Sequence, residues 1–257
     1  MKKVVIISMI CLIVLGGILI FVYSKEDKSS KQKTPPKPPE TVVQNNQQSS
    51  NTKVPAHNYS SDKLKVVAEP DSISVLVNKH NKLPETFNPK DLVFPKVPYL
   101  KRATTEKRQL RKEAAIQLEK MFAAAKKDNV YLTGVSGYRS YETQKILFNY
   151  YVKRDGYEKA RTYSALPGTS EHETGLSIDV TGKDGTCAAE DCFGKKPEAK
   201  WIADNAHKFG YIIRYPHGKQ AITGYKYEPW HIRYVGVHLA TEIKQKGITL
   251  EEYYGLH

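Results

Sequence analysis

The sequence has no Gly-x-Ser-x-Gly, so nothing in it supports a serine hydrolase built on a strand-to-helix nucleophile turn. It also has no glycine-rich phosphate loop and no internal repeat, which leaves P-loop chemistry and repeat architectures without support. Cysteine is scarce, with three in 257 residues, and only Cys187 and Cys192 lie near one another. A metal cluster at those two would need further ligands, and none is close in sequence. They read as a small structural disulfide, with free thiols as the alternative. Cys11 stands apart, inside an apolar run, and reads as a buried thiol.

Acidic residues are outnumbered by basic ones, 27 to 40, for a formal charge of +13. This balance favours anionic surroundings. No nucleic-acid-binding motif accompanies it, so nucleic acid is not indicated as a partner. One long apolar run is present, Val4 to Tyr23, between Met1-Lys2-Lys3 and Lys25. At 1.5 Å per residue it matches a hydrocarbon core about 30 Å thick, so residues 1–24 are expected to form a transmembrane anchor. A cleaved signal is the alternative, although no Ala-x-Ala site follows. The leading lysines favour a cytoplasmic start and an extracytoplasmic remainder, a single-pass arrangement in an anionic cell envelope. Residues 25–62 are rich in Lys, Pro, Gln, Asn and Ser, including Pro35-Pro36-Lys37-Pro38-Pro39. Such a stretch cannot bury enough apolar surface to offset chain entropy, and it reads as a disordered tether reaching on the order of 35 Å.

Residues 63–257, about 195, suit one domain. Alternation predicts a short strand at Ile73-Val75-Val77, and an apolar stripe predicts a helix over 105–127. A strand over 130–135 follows. Ser140 then caps a helix over 141–154 that Asp155-Gly156 ends. Pro197 opens another helix and Gly210 closes it. Strands are expected over 211–215, 221–227 and 230–234. A helix ending at Gly247 comes next, and Thr249-Leu250-Glu251-Glu252 is a capping box for a last short one. Short turns between strands imply an antiparallel sheet, and with the helices an α+β fold.

The chemistry concentrates in two stretches, Ser170-Glu171-His172-Glu173-Thr174-Gly175-Leu176-Ser177-Ile178-Asp179 and Glu228-Pro229-Trp230-His231. Leu176, Ile178 and Val180 alternate against Ser177, Asp179 and Thr181. Trp230, Ile232 and Tyr234 alternate against His231 and Arg233. Two half-buried strands would present Asp179 and His231, while a tight turn at Gly175 delivers His172. Two imidazoles and one carboxylate leave the fourth position of a tetrahedral zinc open, which is the arrangement of a catalytic site. Zinc makes bound water acidic near neutrality and polarises a carbonyl, and a carboxylate that is not a ligand can take the water's proton. Glu228 fits that base, with Pro229 breaking the strand so that it can turn to the metal.

Ser-x-His-x-x-Gly-x-Ser-x-Asp followed by Glu-x-Trp-His resembles the signature of the VanY-type zinc D-alanyl-D-alanine carboxypeptidases and their LdcB-like L,D-carboxypeptidase relatives. The likeness runs from about Ser72 to His257 and includes Ser136-Gly137-Tyr138-Arg139-Ser140. The family often has Ala where this chain has Ser177, a small change that leaves the metal site intact. The resemblance implies a Hedgehog/D,D-peptidase-like fold, one Zn2+ per chain on His172, Asp179 and His231, and Glu228 as catalytic base. It also implies that Arg139 and Gln144 hold the substrate carboxylate or the developing oxyanion, with Ser170 assisting. Arg139 and Gln144 fall around the predicted helix N-terminus, whose free N–H groups favour an anion such as a peptide carboxylate.

The expected activity is removal of the C-terminal D-alanine from peptidoglycan stem peptides. An endopeptidase using the same site and a non-catalytic wall-binding module are the alternatives. The sequence does not separate D,D from L,D specificity; the Arg139 and Gln144 arrangement is nearest the L,D subgroup.

Overall fold

A computed structural model describes residues 64–256. The anchor and tether expected over residues 1–62 lie outside the described residues. Among the described residues no helix is long and apolar enough to cross a membrane.

Two short ladders lead in: β1 (Lys65–Val66) parallel to β2 (Asn81–Lys82), and β3 (Leu92–Val93) antiparallel to β4 (Leu110–Arg111). Helix α1 (Lys112–Lys127) begins later than its apolar stripe suggested. Leu110-Arg111 is engaged in the ladder, and the Arg111 and Lys112 N–H groups donate to the carbonyls of Gly175 and Asp91. Only a 3-10 turn, Glu106–Arg108, remains of the expected first turns.

The main sheet takes one strand from each successive part of the chain: β5 (Leu132–Ser136), β6 (Ser177–Gly182), β7 (Tyr211–Ile213) and β8 (His231–Tyr234). Its order is β5-β6-β8-β7, antiparallel at every pairing. Between and after the strands come α2 (Tyr141–Asp155), α3 (Tyr157–Tyr163), α4 (Pro197–Asn205), α5 (Gln220–Thr223), α6 (Val237–Lys246) and α7 (Leu250–Tyr253). The fold is therefore α+β with a small antiparallel sheet, as the sequence implied. Ser140 Oγ accepts from the Thr143 N–H at the start of α2, and the capping box at Thr249 and Glu252 closes in both directions.

Ile178, Val180 and Ile232 join Leu118, Met121 and Phe122 of α1 and Ile202 of α4 in one apolar core. Burying seven large side chains of this kind contributes on the order of 1.5–3 kcal/mol each. The opposite face is buried too, although it is polar: Ser177, Asp179, His231 and Arg233 are 0–8% exposed. The strands are thus enclosed on both sides, where alternation had suggested half-burial.

Two expected strands are absent. Over 73–77 the chain runs without strand pairing, because the carbonyls of Ile73 and Val75 accept from the Arg233 guanidinium instead of a neighbouring strand. Over 221–227 a helical turn, α5, ends at Gly224, whose φ of 76° suits glycine. Cys187 and Cys192 form a disulfide, with Cα atoms 5.5 Å apart, in the loop after β6.

Candidate metal centre

Antiparallel register sets Asp179 of β6 directly opposite His231 of β8. His231 Nδ1 lies 3.0 Å from Asp179 Oδ1. His172 arrives from the 3-10 turn Glu171–Thr174, which Gly175 ends at φ 67°, and its Nε2 lies 3.5 Å from Asp179 Oδ2. One ligand atom from each of the three residues falls within 4.8 Å of the others, and all three residues are buried.

Gly175 is a specific requirement of this turn. A Cβ there would come within 2.9 Å of Leu92 Cδ2 and 3.0 Å of Arg111 Cγ, at a φ that other residues reach only with strain. Gly175→Ala is expected to cost about 1–3 kcal/mol in denaturant unfolding and to weaken the hold of His172, Asp179 and His231 on a metal ion under a chelator. Unchanged values for both would show that the turn has slack.

The tautomers can be read from the partners. His172 Nδ1 lies 2.8 Å from the Gly137 carbonyl, which can only accept, so Nδ1 carries the hydrogen and Nε2 turns a lone pair to Asp179. Burial pushes His172 down to about 3, so protonation does not relieve this contact of lone pair and carboxylate. His231 Nε2 stands 3.5 Å from Glu171 Oε2 and Nδ1 faces Asp179. Burial alone would lower His231, but hydrogen bonds to Asp179 and Glu171 outweigh it and raise it to about 9. Burial alone would raise Asp179, yet the charges around it, with the hydrogen bond from His231 and the Arg139 guanidinium among them, hold it well below the usual carboxylate range. Two nitrogens and a carboxylate thus converge on a point that calls for positive charge. The outer nitrogen of each imidazole faces an oxygen, the usual support of a metal-ligating histidine. This donor set fits zinc, with a fourth position left for chemistry.

Glu228 sits in the turn before β8. Its N–H donates to the Tyr215 carbonyl (3.0 Å) and its carbonyl accepts from the His231 N–H (3.1 Å), so the strand does begin after Pro229. Burial raises its carboxyl to about 7; His231 opposes the rise and Asp179 adds to it. Arg139 donates through Nη1 to Gln144 Oε1 (2.7 Å), and its charge acts on both His172 and Asp179. Gln144 is fully engaged, because its Nε2 donates to the Ala165 carbonyl (2.7 Å); it holds Arg139 in place. The N-terminus of α2 already has an anion: Glu106 Oε1 accepts from the Ser140 N–H and from Thr143 Oγ1. The guanidinium of Arg139, rather than the helix end, is therefore the available anion partner. Ser170 lies buried just before the turn that carries His172.

Behind His231 lies a buried polar network that the sequence barely signals. Glu171 Oε1 accepts from Arg214 Nε and Arg233 Nη1, both at 2.7 Å. The terminal nitrogens of Arg214 meet both oxygens of Glu251, at 2.8 and 2.6 Å. Burial would raise Glu171, but the two guanidiniums keep it ionised. Arg233, alternating beside His231 within an apolar strand, was the one signal available.

The family model described as VanY, D-alanyl-D-alanine carboxypeptidase, matches residues 107–237. "Putative carboxypeptidase YodJ" of Bacillus subtilis (strain 168) is 46% identical over 193 residues, covering 75% of this chain and 71% of that protein. The chain belongs to the VanY family. Among solved structures of VanY relatives, an LdcB LD-carboxypeptidase is 46% identical with a TM-score of 0.73, covering 76% of this chain and 91% of that one. A vancomycin-resistance D,D-pentapeptidase VanY, solved with Zn(II), is 32% identical with a TM-score of 0.58, covering 70% and 98%. As a VanY protein this chain is a hydrolytic peptidase.

Proposed function

We propose that the protein is a zinc carboxypeptidase that removes the C-terminal D-alanine from peptidoglycan stem peptides. The observation that carries this is the buried convergence of His172, Asp179 and His231, with Glu228 and Arg139 beside it. Zinc held by the three would supply Lewis-acid polarisation of the scissile carbonyl and an acidified water. Glu228, raised towards neutrality, takes the proton from the attacking water and passes it to the leaving amine. Arg139, held at one terminal nitrogen by Gln144, pairs with the substrate's terminal carboxylate and so fixes which bond meets the base. Gln144 contributes by aiming that guanidinium, and Ser170, buried immediately before the turn that carries His172, assists from there.

The higher identity and TM-score with the LdcB LD-carboxypeptidase than with the D,D-pentapeptidase support L,D specificity. The apolar run Val4–Tyr23 and the basic charge support a single-pass membrane protein with its catalytic domain outside, working on wall close to the membrane. The test is mass spectrometry of defined tetra- and pentapeptide muropeptides incubated with the full-length, zinc-loaded protein. Loss of one alanine from the tetrapeptide is expected. Loss from the pentapeptide alone would mean D,D specificity, and an internal cut would mean an endopeptidase. With zinc bound, no cleavage of either would overturn the enzymatic reading.

A further inference from the structure

The network behind His231 reaches the last helix of the described chain. Glu171, Arg214, Arg233 and Glu251 are each 0–2% exposed, two anions and two cations enclosed together. Asn78 Nδ2 donates to Glu251 Oε1 (3.2 Å), tying the N-terminal segment to the same group. Burying four charges gains little stability over well-packed apolar side chains, because desolvation offsets the attraction. One end of this network, however, stands against a ligand of the metal centre. Glu171 directs one oxygen at both guanidiniums and turns the other to Ser177 Oγ (3.1 Å) and His231 Nε2 (3.5 Å).

We propose that Glu251 is a positioning residue for the metal centre, acting on His231 through Arg214 and Glu171. The inference rests on the reading of His172, Asp179 and His231 as metal ligands. Glu251 occupies both terminal nitrogens of Arg214, leaving only Nε for Glu171. Without the Glu251 charge, Arg214 turns its fork onto Glu171 and draws both carboxylate oxygens towards itself. The oxygen that faces His231 is then lost as an acceptor, the imidazole is freed to rotate, and Nδ1 becomes a poorer donor to the metal.

The experiment compares the full-length wild type with Glu251→Gln and with Thr249→Ala, which removes the capping box of the same helix without touching a charge of the network. Zinc affinity is measured by chelator competition, and coordination geometry by the visible d–d bands of the cobalt(II) form. Glu251→Gln is expected to weaken zinc about 10–100-fold and to shift the cobalt bands, the range typical of lost outer support. Thr249→Ala should lower the melting temperature with affinity and spectrum unchanged. Equal loss of affinity in the two variants would reduce Glu251 to a structural role and overturn the proposal, as would unchanged affinity and spectrum in Glu251→Gln. If Glu251→Gln does not fold, Asn78→Ala withdraws one hydrogen bond from the same carboxylate, and a loss of about threefold is expected; no loss would overturn the proposal. A wild type that binds neither zinc nor cobalt would sink the metal reading itself. Wild-type binding with an unmoved variant would sink only the role of Glu251.

Discussion

Glu228→Gln is expected to lower kcat by about 10²–10⁴-fold while one zinc per chain remains bound and KM changes little. Glutamine keeps the shape and the backbone bonds of the turn before β8 but cannot accept a proton from water. The loss therefore belongs to the chemical step, because the metal ligands lie on other residues. The pH profile supplies a second readout. Burial raises the Glu228 carboxyl to about 7, and a bound cation nearby favours the ionised form and draws it lower. A base works only when deprotonated, so kcat/KM should climb about tenfold per pH unit below an inflection lying under about 7, then level off. In Glu228→Gln that limb should vanish. Near-normal turnover in the variant, or an intact acid limb, would remove Glu228 as the base; loss of zinc would make it part of the metal centre instead.

The ligand-bearing strands were legible because alternation alone assigns Asp179 and His231 to faces opposite the apolar residues, and register then makes them neighbours. The turn at Gly175 and both caps were legible for the same reason, since each follows from chemistry within four residues. What stayed hidden depends on distant partners. Ile73, Val75 and Val77 alternate like a strand, yet the carbonyls of Ile73 and Val75 are claimed by a guanidinium about 160 residues away. Leu110-Arg111 lies within a helical stripe but is captured by a strand that precedes it in a proline-rich stretch. The anion expected at the start of α2 is supplied by Glu106 of the chain itself. The buried charge quartet leaves a single local trace, Arg233 alternating beside His231; Arg214 and Glu251 lie 37 residues apart, and only the fold pairs them.

Arg233→Met carries the largest expected cost in stability. Met has a similar stem length and keeps apolar contact, so the change isolates the guanidinium. In the wild type Arg233 donates Nη1 to Glu171 (2.7 Å), Nη2 to the carbonyls of Ile73 (2.9 Å) and Val75 (2.8 Å), and Nε to the Tyr234 carbonyl (2.9 Å). It is 0% exposed, and no water can replace those donors without opening the core. The variant leaves Glu171 with Arg214 alone, itself shared with Glu251, so two buried carboxylates face a single guanidinium. Removing one partner from a buried ionic cluster costs about 3–5 kcal/mol, whereas exchanging the whole cluster for apolar groups can be neutral. Denaturant titration should record a loss in that range with an unchanged m-value, and protease cutting within 72–78 should appear well below the unfolding midpoint, because that stretch loses two of its carbonyl partners. A loss under about 1 kcal/mol would mean that Arg214 alone compensates both carboxylates. The N-terminal segment would then be held by its apolar contacts, Val75 and Val77 against the core, and not by the strand that carries His231.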